Sequence, residues 1–170
     1  MLIRKQDFCV LLLYCLGYSR IRNLVLRLQR KARVRFVTFH DLPPEALGCF
    51  EAKLHFLKHR TNVVSLDEFF SGRISWHKIN VVITFDDGYK SWVSDAVPAL
   101  QKLELPATFF VSSGFVSLSK EDEAEFIRSK LFQTRSPRRI TGGLTCEDVR
   151  RIVQGGFCRG WAHIKSLQSC

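Results

Sequence analysis

Six cysteines occur in the 170 residues, at positions 9, 15, 49, 146, 158 and 170, yet they include no Cys-x-x-Cys pair, and none stands at a spacing from histidine that suits structural zinc. A cysteine-built metal module is excluded on that ground. Scattered among apolar neighbours, the cysteines read as buried free thiols of a reducing, cytoplasmic compartment, with a Cys158–Cys170 pairing left open. No apolar run is long enough to cross a bilayer. Residues 8–16 follow Arg4 and Lys5 as a signal-peptide core would, but they lack a small-x-small cleavage site and Asp7 interrupts the basic start. Tyr14 is too bulky for Leu12-Leu13-Tyr14-Cys15 to serve as a lipobox, which leaves a signal anchor as the lesser alternative. No repeat and no low-complexity tract divides the chain, so one α/β-sized domain is expected.

Acids are nearly missing from the start of the chain. Residues 1–40 hold nine Lys/Arg against one acid, so +8 of the net +10 lies there. Residues 8–31 carry a helical pattern, broken at Gly17, with Ile21, Leu24 and Leu28 on one stripe and Arg20, Arg27 and Arg30 elsewhere. We therefore expect residues 1–33 to form a basic amphipathic helical segment that docks by its stripe and solvates its arginines. Peripheral contact with an anionic membrane is the alternative partner, and nucleic acid is not expected.

What is present is concentrated in Val81-Val82-Ile83-Thr84-Phe85-Asp86-Asp87-Gly88. A short β-branched and aromatic run predicts a strand buried on both faces, and it stops at two carboxylates and a glycine. Neighbouring side chains on a strand point to opposite faces, so both acids reach one cavity only if the chain turns there, which Gly88 permits. Two adjacent acids at a buried strand end repel and desolvate each other, and a bound cation relieves both costs. One carboxylate then holds the metal and the other acts as a base. The plain alternative is that the pair caps the following helix.

Around this run, residues 34–39 predict a strand ending at His40-Asp41 before the Pro43-Pro44 turn, residues 45–58 a helix with Leu47, Phe50, Leu54, Phe56 and Leu57 apolar, and residues 62–65 a further strand. A short helix over 67–70 stops at Ser71-Gly72. His55 and His59 lie one helical turn apart, but with no third ligand nearby they are expected to face solvent. Residues 89–103 predict a helix burying Trp92, Val93, Ala96, Val97 and Leu100, of a length that joins parallel strands, and residues 107–111 the next strand. Residues 120–132 read as an amphipathic helix and 134–143 as a surface loop. Thr145, with Asp148 three residues on, opens a last helix that Gly155-Gly156 closes.

Thr84-Phe85-Asp86-Asp87-Gly88-Tyr89, the helix through Val97-Pro98-Ala99-Leu100 and then Leu105-Pro106-Ala107-Thr108-Phe109-Phe110-Val111 together resemble the first motif and following strand of the polysaccharide deacetylases, the NodB-homology or carbohydrate esterase family 4 domain. The resemblance runs from about Phe36 to about Phe157. It implies a NodB-type (β/α) barrel over residues 34–170, here incomplete or distorted, and a hydrolase of carbon-nitrogen bonds other than peptide bonds, acting on N-acetylated polysaccharide or oligosaccharide with a divalent metal, zinc foremost. By the same resemblance Asp86 is the catalytic base and Asp87 a metal ligand. His40, near the end of the first strand, is an outer candidate.

The family's second motif, His-x-x-x-His, is met only in part. In Gly160-Trp161-Ala162-His163-Ile164-Lys165-Ser166-Leu167, His163 matches the first histidine and is the second expected metal ligand, while Leu167 stands where the other should be. A site of one carboxylate and one imidazole has two ligands where catalytic zinc normally has three, so weak metal affinity is expected unless His40 or Asp41 substitutes. Three readings follow: a deacetylase, a catalytically impaired relative that binds carbohydrate or a partner, and a gene product whose frame changes after about Phe157, in which case His163 belongs to the wrong frame.

Overall fold

The computed structural model describes residues 17–29, 31–112, 114–116, 118–119, 122, 125–126 and 142–154. Strand β3 (Ile79–Asp87) organises them. Val81, Val82, Ile83, Thr84 and Phe85 are all buried, as the β-branched run predicts for a strand covered on both faces. Every neighbour of β3 is parallel. Strand β1 (Arg33–Phe39) runs beside it from Arg33↔Ile79 to Phe39↔Phe85. On the other edge, β2 (Asn62–Val63) pairs with its beginning and β4 (Thr108–Val111) with its end, in the register Thr84↔Thr108 to Asp87↔Val111. The result is an α/β unit with a four-stranded parallel sheet. Among the described residues the sheet does not close on itself, so the barrel is incomplete.

The crossovers follow from the hydrophobic periodicity. Between β1 and β2 a 3-10 turn (Pro44–Ala46) leads into α2 (Leu47–Arg60), which buries Phe50, Leu54 and Leu57. Phe56, an apolar position of the same pattern, is 62% exposed. It lies two positions from Leu54 and so on a different side of the helix. A short helix, α3 (Leu66–Phe70), follows β2 and is opened by a capping box: the Ser65 hydroxyl accepts the Glu68 N–H at 3.1 Å, and the Glu68 carboxylate accepts the Ser65 N–H at 2.8 Å. Between β3 and β4 the expected helix splits into a π turn (Trp92–Ala96) and α4 (Val97–Lys102). Val97 N–H bonds the Trp92 carbonyl five residues back, and Pro98 has no N–H with which to resume the ordinary ladder. The last described helix is α5 (Cys146–Gln154).

An aromatic cluster fills the space between these layers. The Phe85 ring stacks on Phe39 at 5.4 Å and on Phe109 at 4.8 Å, and meets Trp92 edge-on at 5.8 Å and Phe50 at 6.2 Å. At the opposite end of the sheet from the acids, buried Asn80 bonds the Arg33 and Ser75 carbonyls and accepts from Ser75 N–H and the Asn62 amide. That one side chain ties β1, β2 and the approach to β3 together, and its buried polar atoms are satisfied in doing so.

Two expectations do not hold. Helix α1 (Tyr18–Leu28) forms after Gly17, but Ile21, Leu24 and Leu28 are 62%, 58% and 76% exposed, so the stripe is not docked among the described residues. Helical periodicity reports that a stripe exists and not what meets it. The cysteines are not uniformly buried thiols: Cys49 is free but exposed, and Cys146 is disulfide-bonded. Among the described residues no helix is long and apolar enough to cross a membrane. Residues 1–16, most of the helix expected over 120–132, most of the loop expected over 134–143 and the stretch containing His163 and Leu167 lie outside the described residues.

Candidate active site

The site is built where β3 stops. Register places Asp86 beside Phe110 and Asp87 beside Val111, and the chain then turns. The turn begins one residue earlier than the glycine suggests: Asp87 itself has φ +87° and Gly88 φ +110°. A non-glycine residue in that region is strained, and such strain persists only where the surroundings over-determine it. Here they do. Asp87 carbonyl accepts from Ser112 N–H at 2.9 Å, Gly88 carbonyl from Leu144 N–H at 2.9 Å, and Gly142 carbonyl from Lys90 N–H at 2.8 Å, while Tyr89 forms an antiparallel bridge with Gly143. Glycine suits position 88 twice over, by its φ of +110° and because a Cβ there would lie 3.3 Å from Val111 Cγ1.

A second set of bonds brings the end of β1 to the same place. Thr38 and Thr84 hydroxyls meet at 2.9 Å across the strands. Trp92 Nε1 donates to the His40 carbonyl at 2.9 Å, Ser91 Oγ donates to Asp41 Oδ1 at 2.8 Å, and Leu42 N–H donates to Ser91 Oγ at 3.0 Å. These fasten His40-Asp41-Leu42 to the first turn after the acids. His40 Nε2 consequently lies 4.0 Å from Asp87 Oδ2, with His40 half exposed and Asp87 mostly covered.

Of the residues singled out from sequence, Asp86, Asp87, His40 and Asp41 are thus brought to one end of the sheet. His163 lies outside the described residues. His55 and His59 stack at 6.4 Å on the exposed side of α2, as expected. The capping alternative finds no support, because the helical turn that follows starts at Ser91 without a side-chain cap. Ser91 was not anticipated as the link to Asp41. It lies fifty residues away, and nothing local in the sequence marks the contact.

Electrostatics separates the groups. Burial pushes the Asp87 carboxyl above its ordinary value; His40 and Tyr89 pull it down, and neighbouring Asp86 pushes it further up. The Tyr89 hydroxyl is raised well above its ordinary value by burial first, then by the Asp87 and Asp41 charges. Burial would also raise Asp148, but the Thr145 N–H and hydroxyl, with Lys90 3.7 Å away and Arg151, outweigh it and leave that carboxyl below its usual range. Asp148 is therefore a structural anion at the α5 cap, and Asp87 is the carboxyl that lacks sufficient partners.

A carboxylate and an imidazole are donor types that suit a zinc-like divalent ion. They are two donors, however, and among the described residues no three potential ligands converge.

The polysaccharide deacetylase family profile matches residues 75–161, which contain β3, the turn, β4 and α5 and end two residues before His163. No curated protein matches the chain. Among solved structures, IcaB from Ammonifex degensii is similar in fold at a TM-score of 0.53, with 23% identity over 74% of this chain and 50% of its own. A de-N-acetylase from Aggregatibacter actinomycetemcomitans is similar at 0.51, with 20% identity over 74% and 52%. The chain spans about half the length of these structures.

Proposed function

The chain belongs to the polysaccharide deacetylase family, and from that premise we propose that it hydrolyses the acetamido C–N bond of an N-acetylated polysaccharide or oligosaccharide with a divalent metal, zinc foremost. The observation that carries this reading is the acid pair at a buried strand end, turned at Asp87, whose carboxylate lies 4.0 Å from His40.

In this reading Asp87 and His163 hold the metal, and His40 is the nearest described residue able to act as the third donor in place of the absent family histidine. A divalent ion so held supplies a water of lowered pKa and polarises the acetamido carbonyl. Asp86, which has no such role as a ligand, removes the proton from the attacking water. Burial of Asp87 supports the same division of labour: a carboxyl whose charge burial makes costly gains from a neighbouring cation.

The test is acetate release from acetylated glucosamine oligomers with added zinc, cobalt or nickel. The expected outcome is slow, metal-dependent release that Asp86→Asn lowers by about 10²–10⁴-fold. Release without metal, or release that survives Asp86→Asn, overturns the assignment. Leu167, standing where the family's second histidine is expected, favours one second reading, a relative that binds the saccharide without turning it over. Saturable oligomer binding with no acetate would select it.

A further inference from the structure

Tyr89 is fully buried, and its ring meets Phe115 edge-on at 5.4 Å while its backbone is bridged to Gly143. Its ring is thus well accounted for, and its hydroxyl is not: that oxygen is buried and meets no acceptor at full hydrogen-bond geometry. A buried hydroxyl without an acceptor is destabilising, and phenylalanine would fill the same space without it. Two carboxylates act on this hydroxyl from nearby, Asp87, by its charge and as a weak hydrogen-bond acceptor, and Asp41, by its charge alone. Asp41 already accepts from Ser91 Oγ. Asp87 is the acceptor left for it.

We propose that Tyr89 is a positioning residue for Asp87, its hydroxyl donating to the carboxylate once a divalent ion is bound and holding that carboxylate in the orientation the ion requires. The proposal rests on the reading of Asp87 as a metal ligand. Partners behind a ligand commonly orient it and raise its affinity for the metal. The rigid ring socket around Phe115 and the stitched turn make Tyr89 suited to this, since neither the ring nor the backbone has to move far for the hydroxyl to reach its acceptor.

The experiment is a cobalt titration of the full chain, followed by visible absorption, with thermal unfolding of the metal-free protein measured in parallel. For Tyr89→Phe the expected result is unchanged or raised thermal stability, a cobalt affinity lower by about 10- to 100-fold and an altered absorption envelope. In an Asp87→Ala background the same substitution should change nothing further. Wild-type affinity and spectrum in Tyr89→Phe overturn the role of Tyr89 alone. So does a loss of stability that matches the loss of affinity, because the residue is then structural. Cobalt binding that persists in Asp87→Ala overturns the metal reading and the proposal together.

Discussion

Replacing Gly88 with alanine is the sharpest structural test of the turn. At φ +110° an L-residue incurs a backbone cost of about 1–3 kcal/mol. The new Cβ would also stand 3.3 Å from Val111 Cγ1, close enough that β4 must give by a few tenths of an ångström, an overpacking cost near the low end of about 1–3 kcal/mol. Together these come to about 2–4 kcal/mol, a large share of the ~5–15 kcal/mol that holds a domain folded. For a chain of this size that is a fall in melting temperature of about 4–16 °C. The assay is thermal unfolding by circular dichroism of the metal-free protein, with Gly48→Ala as the internal control. Gly48 is in α2 with nothing near its missing Cβ, so the identical substitution there should stabilise by about 0.5–1 kcal/mol. A Gly88→Ala variant that melts within about 1 °C of wild type would refute the description of the turn, since neither the φ nor the Val111 contact could then be real.

Three further outcomes follow from the same geometry. Asp87→Asn should raise metal-free stability at pH 7 by about 0.5–1 kcal/mol, because asparagine tolerates positive φ and removes a charge that burial and Asp86 disfavour. The folded carboxyl of Asp87 binds its proton more tightly than the unfolded value of 3.8, so its contribution is favourable below that value and lost as pH rises through the folded pKa; the advantage of Asp87→Asn should accordingly shrink toward acid in denaturant titrations. Asp148 has the opposite sign: its depressed carboxyl stabilises above the unfolded value and loses that contribution as pH falls, and Thr145→Ala, which removes the cap it pairs with, should cost about 0.5–2 kcal/mol at neutral pH by the same assay.

The parts of the fold that were legible in the sequence are those governed by local rules. A continuous β-branched run announced β3 as buried on both faces, the spacing from Phe85 to Thr108 announced a parallel partner, and the Thr-x-x-Asp pattern announced the α5 cap. The acid pair pointed to the end of the sheet where His40 and Asp41 also arrive. What escaped depends on contacts between distant positions. Asn80 is an isolated polar residue until strands forty-seven positions apart close around it, and Ser91 is an ordinary helix-start serine until Asp41 meets it. The backbone at Asp87 escaped for another reason: a glycine beside an acid reads as the place where the chain turns, whereas the bonds from Ser112 and Leu144 move the first positive φ onto the acid itself. Solvent exposure of the α1 stripe and of Phe56 likewise depends on what packs alongside and not on period.

Anomalous scattering at the zinc edge, from crystals grown with zinc, tests the central claim most directly. One principal site is expected, with Asp87 Oδ at about 2.0–2.2 Å and imidazole nitrogens of His163 and, as the third donor, of His40 at about 2.0–2.1 Å. A peak between His55 and His59 with none at Asp87, or an Asp87 carboxylate left bare at saturating zinc, would contradict it.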